Sequence, residues 1–261
     1  MKIGFLGGGK MAEGILSALI SCKKAKAADI LVAEKVPARA QFLADAYGVK
    51  TTPDLAAVVK TCKVVFLAVR PQDVDAVAAG IKPLLRTAGV TLVSIVAGKT
   101  LAVLKKAFGN KVAIVRVMPN LALRVGEGMC AVCGKGKEDV AALLDVAGKT
   151  VILPEKAFDA VTALSGSGPA YFAYMLKAMA EAGVKLGLKP ADARCLAEQT
   201  MLGTAKYLRA TEADLDAFIA GVCTPGGTTA AGMAELSRDG LFAQLVARTL
   251  AAAAQRAREL K

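Results

Sequence analysis

Lys2-Ile3-Gly4-Phe5-Leu6-Gly7-Gly8-Gly9-Lys10-Met11-Ala12-Glu13-Gly14 carries three signals in a fixed order. Ile3, Phe5 and Leu6 form a short apolar run that reads as a buried strand. Gly7, Gly9 and Ala12 then spell G-x-G-x-x-A. Met11, Ile15, Leu16 and Leu19 follow at helical spacing. Strand, tight turn and helix succeed one another as a dinucleotide-binding unit requires. Gly7 permits the turn, Gly9 lets the backbone approach a pyrophosphate, and Ala12 lets the helix pack on the strand. The helix start offers free N–H groups and the positive end of its dipole. An ordinary glycine turn is the competing reading, and the strand–helix context weighs against it.

Outward from this unit, strands and helices alternate. Asp29–Ala33 reads as a second strand, with Glu34 and Lys35 at its end and Arg39 one turn on. A carboxylate at that place favours the 2′-hydroxyl of NAD, and a cation favours the 2′-phosphate of NADP. With one of each side by side, the preference stays open. Residues 38–47 are helical, 49–52 a short strand, and Asp54 caps the next helix. Residues 62–69 form an apolar strand that runs into Ala68-Val69-Arg70-Pro71, a candidate lining of the cofactor crevice. A helix (72–85), a strand (91–97), a helix (101–108) and a strand (112–116) follow, then strands over 128–133 and 150–153. This pattern predicts an α/β fold with a doubly wound parallel sheet over residues 1–158.

From Asp159 the strand signals stop. Ala-rich helical periodicity fills residues 159–261, interrupted by Ser165-Gly166-Ser167-Gly168-Pro169 and by Thr224-Pro225-Gly226-Gly227-Thr228-Thr229. Each is a hydroxyl-rich turn that opens a helix. Such a turn binds a carboxylate through backbone N–H groups and hydroxyls, or simply caps the helix. Two of them after a dinucleotide unit favour the binding role.

The net charge is +12, of which +11 lies in residues 1–158 and +1 in residues 159–261. A positive field around the glycine loop attracts anionic cofactor and substrate. Nucleic-acid binding is disfavoured, because no basic helix is interleaved with aromatics. The six cysteines are scattered. Cys130-x-x-Cys133 lies in a strand with no second pair, and the chain has no histidine, so no metal is expected. No apolar run is long and charge-free enough to span a bilayer, and the first residues do not read as a signal peptide. The expectation is a soluble cytoplasmic protein that uses neither membrane nor nucleic acid.

Six stretches together resemble the pyrroline-5-carboxylate reductase family: Ile3–Ala12 (IGFLGGGKMA), Phe66–Pro71 (FLAVRP), Ser94–Leu101 (SIVAGKTL), Arg116–Asn120 (RVMPN), Leu164–Tyr171 (LSGSGPAY) and Pro225–Thr229 (PGGTT). The resemblance spans essentially the whole chain. It implies an N-terminal Rossmann domain and an all-α C-terminal domain that dimerises, with dimers that assemble into decamers and active sites near the subunit interface. It implies reduction of 1-pyrroline-5-carboxylate to L-proline by NADPH or NADH, the last step of proline biosynthesis. Cofactor contacts then fall to Leu6, Gly7, Gly8, Gly9, Lys10 and Met11, to Glu34, Lys35 and Asp54, to Ala68, Val69, Arg70 and Pro71, and to Ile95, Val96 and Ala97. Substrate contacts fall to Ser165, Ser167, Gly226, Gly227, Thr228 and Thr229, with Thr229 the candidate catalytic hydroxyl and Glu155 near a product contact. The chain departs from the family after Met118-Pro119-Asn120, where Leu121-Ala122-Leu123 replaces the usual Thr-Pro-Ala. Two alternatives stand beside this reading. One is a reductase of another cyclic imine or small acid on the same plan; the other is a dinucleotide-binding protein without catalysis.

Overall fold

Eight strands form one sheet in the order β3-β2-β1-β4-β5-β6-β7-β8, in a computed structural model that describes residues 1–85 and 89–260. The strands are β1 (Ile3–Leu6), β2 (Ile30–Ala33), β3 (Lys50–Thr52), β4 (Val64–Leu67), β5 (Thr91–Ser94), β6 (Ala113–Met118), β7 (Gly128–Gly134) and β8 (Gly148–Ile152). Between and after them run α1 (Lys10–Ser21), α2 (Pro37–Tyr47), α3 (Leu55–Thr61), α4 (Val74–Leu85), α5 (Leu101–Phe108), α6 (Lys137–Leu144) and the short α7 (Phe158–Val161). Strand order reverses its direction of growth between β1 and β4. In such sheets that point opens a crevice beyond the strands' carboxyl ends.

The double winding is visible in side-chain alternation. Ile3 and Phe5 of β1 face a core layer shared with Ile15, Leu16 and Leu19 of α1, Leu43 of α2 and Leu143 of α6. Leu6 of β1 and Val65 and Leu67 of β4 face the opposite layer, with Val58 of α3, Ile81 of α4 and Leu104 of α5. Phe5 stacks on Phe66 of β4 at 4.8 Å between centroids, and neither ring is exposed. Burying each such ring contributes about 1.5–3 kcal/mol.

Among the described residues all strand pairings are parallel except that of β6 with β7. The reason is the link over residues 119–127, which is shorter than a parallel crossover needs. The strand expected over 91–97 stops at Ser94, whose hydroxyl accepts the Val96 N–H at 3.3 Å and turns the chain. The strand expected over 62–69 is β4 alone, because Cys62 ends α3 by donating its N–H to the Val58 carbonyl. Helix α6 was not legible as a separate element in the sequence pattern.

The chain forms two compact units. One comprises Met1–Ser167 with the stretch from Ala253 onward; the other is Gly168–Ala252. Among the described residues only helical segments follow α7, chiefly α8 (Gly168–Lys185), α9 (Pro190–Thr211), α10 (Leu215–Val222), α11 (Thr228–Leu236) and α12 (Leu241–Glu259). Within the second unit α8 and α9 make a hairpin through residues 186–189, and Gly183 brings α8 close to Ala193. Large apolar side chains here stay exposed, among them Phe172, Tyr174, Leu196, Tyr207 and Leu215. No helix among the described residues is long and apolar enough to cross a membrane.

Candidate active site

The glycine turn sits where β1 meets α1, at the reversal of strand order. Gly7 has φ +99°, the left-handed region that side-chain-bearing residues avoid, and its N–H donates to the Ala33 carbonyl at 2.8 Å. Gly9 caps α1 in an extended conformation without a side-chain partner. A Cβ at Gly9 would meet nothing within 4 Å. That open side is the approach a pyrophosphate needs, and the first N–H groups of α1 lack carbonyl partners within the helix. The residues present therefore fit a dinucleotide.

Gly8 is fixed from both sides. Its N–H donates to Glu34 Oε2 at 2.9 Å, and its carbonyl accepts from Arg39 Nε at 2.7 Å. The other oxygen of Glu34 accepts the Val36 N–H at 2.9 Å. Arg39 reaches on to Glu13, with 2.5 Å between Nη2 and Oε2. Glu13 is almost fully buried on α1 and also accepts from Tyr47 Oη at 2.8 Å and Arg124 Nη2 at 2.9 Å. Burial alone pushes the Glu13 carboxyl upward. The hydrogen bonds from Arg39 and Tyr47, with the charges of Arg39 and Arg124, outweigh that and hold it below its ordinary range.

Beside this loop lies a cavity of about 570 Å³. It brings together Gly7, Gly8, Gly9, Glu34, Lys35, Ala68, Val69 and Arg70 from the expected cofactor set. It adds Val36, Pro53, Leu55 and Asp73, which sequence reading did not single out. Their signal was only that each follows the carboxyl end of a strand on this side of the sheet, β2 for Val36, β3 for Pro53 and Leu55, and β4 for Asp73. Of the remaining expected cofactor residues, Leu6 is buried in β1, and Lys10 and Met11 open α1. Asp54 caps α3 by accepting the Ala56 N–H at 2.8 Å. Pro71 begins a 3-10 turn, and Ile95, Val96 and Ala97 follow β5; none of these lines the cavity.

The Ser165 turn is a π-type turn over Thr162–Gly166, closed by the Ser167 N–H donating to the Thr162 carbonyl. Ser165 Oγ donates back to the Val161 carbonyl at 3.0 Å, while Ser167 is half-buried. Asn120 fixes this turn from the loop that precedes β7. Its Nδ2 donates to the Ser165 carbonyl at 3.1 Å, and its Oδ1 accepts the Ala122 and Met129 N–H groups. Leu121-Ala122-Leu123 therefore forms a 3-10 turn (Leu121–Val125) anchored by buried Leu123 and by Arg124 on Glu13. Glu155 is occupied: one oxygen accepts the Leu101 N–H at 2.7 Å and pairs with buried Arg116 at 3.0 Å.

In the second unit, Gly226 has φ +72° and Gly227 caps α11, its N–H donating to the Thr224 carbonyl. The first bond of α11 is from the Ala231 N–H to the Gly227 carbonyl, so the N–H groups of Thr228 and Thr229 have no partner inside the helix. Thr229 is half-buried and Thr228 exposed.

The sheet, the glycine turn and the acid at the end of β2 define a dinucleotide-binding α/β protein with a helical C-terminal unit. Residues 2–98 match the family described as NADP oxidoreductase, coenzyme F420-dependent, and residues 155–260 match pyrroline-5-carboxylate reductase dimerisation. A pyrroline-5-carboxylate reductase of Synechocystis is 38% identical over all of this chain and 98% of that protein. The structure of a pyrroline-5-carboxylate reductase from Coxiella burnetii superposes with a TM-score of 0.93 at 31% identity, covering 100% of this chain and 98% of that one. A Plasmodium falciparum pyrroline carboxylate reductase with NADP bound superposes with a TM-score of 0.86 at 26% identity, covering 100% and 98%. The chain belongs to the pyrroline-5-carboxylate reductase family and is an NAD(P)H-dependent oxidoreductase.

Proposed function

We propose that the chain reduces 1-pyrroline-5-carboxylate to L-proline, the last step of proline biosynthesis, with residues 1–158 holding NAD(P)H and residues 159–261 serving substrate binding and dimerisation. The observation that carries the site assignment is the 570 Å³ cavity walled by the Gly7–Gly9 loop, Glu34 and Ala68–Arg70 in a chain of this family. When bound, NAD(P)H supplies the hydride, and the protein supplies position and electrostatics. The loop from Leu6 to Met11 receives the pyrophosphate. Glu34 and Lys35 meet the adenine ribose. Asp54, Ala68–Pro71 and Ile95–Ala97 complete the cofactor set by family resemblance.

The substrate carboxylate falls to the turn at Gly226, Gly227 and Thr228, whose N–H groups and helix dipole favour an anion. Ser165 and Ser167 shape the remainder of the pocket. The Thr229 hydroxyl meets the imine nitrogen, donating to the neutral form or accepting from the protonated one. Orientation of this kind is most of what the chain must provide.

Self-association as a homodimer, and assembly of dimers into a decamer, fit the exposed apolar side chains of the helical unit. Faces of that extent on a soluble protein mark interaction surfaces. The cytoplasm, where this chemistry and free thiols are at home, is the proposed location.

The test is dihydronicotinamide oxidation on addition of 1-pyrroline-5-carboxylate, with NADPH and NADH in parallel. Oxidation of either supports the reading. Protein that binds the cofactor yet oxidises neither carries another imine's chemistry or none. Thr229→Ala should lower kcat about tenfold or more with the thermal midpoint unchanged; an unaltered kcat/KM removes Thr229 from the mechanism.

A further inference from the structure

We infer that Glu34 is the residue that sets cofactor choice, and that it makes NADH the preferred reductant of this chain. This rests on the assignment of the glycine-loop cavity to the cofactor and goes beyond it.

The argument begins with how Glu34 is held. Its carboxylate stands at the end of β2, on the cavity wall, and each oxygen already accepts one backbone N–H: Gly8 at Oε2 and Val36 at Oε1, both at 2.9 Å. Two such bonds fix the carboxylate in place. A carboxylate has about four acceptor directions, so one on each oxygen is still open. That arrangement suits the two hydroxyls of an adenine ribose, which are donors. It repels a 2′-phosphate, which has none to give at neutral pH and carries the same sign of charge.

Two of the cations that could answer a phosphate, Arg39 and Arg70, are committed elsewhere. Arg39, one turn beyond Glu34, spends Nε on the Gly8 carbonyl and Nη2 on Glu13, and its guanidinium lies 5.1 Å from the Phe42 ring centre. Arg70 on the cavity wall pairs with Asp73 at 3.0 Å. Lys35 alone among the described lining cations has no carboxylate in ion-pair contact, and it is an exposed, flexible side chain in the field of Asp73. A mobile ammonium beside a rigid carboxylate does not outweigh it at short range. Glu13 has a positioning part in this: by holding Arg39 on Gly8, it keeps the guanidinium off the ribose.

The test is calorimetric titration of the intact chain with ADP-ribose and with its 2′-phosphorylated form, alongside kcat/KM for NADH and NADPH. The expectation is ADP-ribose bound about tenfold or more tightly than the 2′-phosphate, and the same order in kcat/KM. Glu34→Gln keeps the shape and removes the charge, so it should narrow that ratio to within about threefold, chiefly by improving the 2′-phosphate. Equal or tighter binding of the 2′-phosphate by the unaltered chain overturns the inference. So does a ratio unmoved in Glu34→Gln. Should that variant fail to fold, the unaltered chain's ratio decides alone. Gly9→Val separates the underlying assignment: if it leaves both ligands bound as before, the cavity is not the cofactor site and the inference falls with it. If it abolishes both, the assignment stands and the ratio judges Glu34.

Discussion

Arg124 Nη2 donates to Glu13 Oε1 at 2.9 Å, joining the atypical loop after Asn120 to the helix that opens at the glycine turn. The two residues are 111 positions apart. Through Arg39, the same carboxylate also braces the Gly8 carbonyl. One buried charge thus ties together α1, α2, the Leu121–Val125 turn and the cofactor loop.

Replacing Glu13 by Gln should therefore cost about 2 kcal/mol of stability. Breaking a buried pair typically costs more, but Arg39 and Arg124 are partly solvated and recover some hydration. A shift in the urea midpoint measures this. An unchanged midpoint would mean that the arginines find water as good a partner.

The Glu13 carboxyl is held below its ordinary value of 4.5. A depressed carboxylate contributes stability that is complete above the unfolded value and fades as pH falls through the native one. Stability should thus decline on acidification below that value, and Glu13→Gln should flatten the decline. Acid titration followed by circular dichroism of both proteins reports the difference. Superimposable acid limbs would exclude Glu13 as a contributor.

Gly7 and Gly9 should part company on mutation to Ala. At Gly7 the φ of +99° and the Ala68 carbonyl, 2.8 Å from where a Cβ would stand, predict a loss of about 1–3 kcal/mol along with cofactor binding. At Gly9 the space is open, so stability should change by less than about 1 kcal/mol while cofactor affinity falls. Paired thermal melts and cofactor titrations read both quantities. Equal losses in stability would refute the distinction.

Arg116 carries its charge inside the sheet, paired with Glu155 at 3.0 Å and lying 4.7 Å from the Phe158 ring centre. Lys offers neither the flat stacking surface nor the fork of donors. Arg116→Lys should cost about 1–2 kcal/mol in urea unfolding. A neutral result would show that charge alone suffices there.

The cysteines should divide by burial. Burial pushes the thiols of Cys62 and Cys133 up to about 11 and that of Cys130 to about 12, whereas Cys22 and Cys195 are exposed. Native protein at pH 8 should be alkylated by iodoacetamide at the exposed pair and spared at the buried three, as peptide mass spectrometry would show. Cys130 and Cys133 also face different core clusters, as expected for positions i and i+3 of a strand, so the two thiols of Cys-x-x-Cys stand on opposite faces of β7. Rapid labelling of either would overturn this.

What the sequence determined by itself was the plan. Local patterns fixed the strand–turn–helix at Gly7–Ala12, the alternation through β6, the strands near β7 and β8 and the helical remainder, because each rests on spacing and residue type within a few positions. The two hydroxyl-rich turns and the acid at Glu34 were legible for the same reason. Tertiary structure alone decided the pairing direction of β6 and β7, the partition of Glu34 between Gly8 and Val36, and the capture of Arg39 and Arg124 by Glu13. None of these could be read from spacing, since the partners lie up to 111 residues apart and a charge beside Ala12 looks the same in sequence whether it meets water or two guanidinium groups. Whether Arg39 is free to meet a phosphate depends on the Glu13 carboxylate and the Gly8 carbonyl that the fold sets against it.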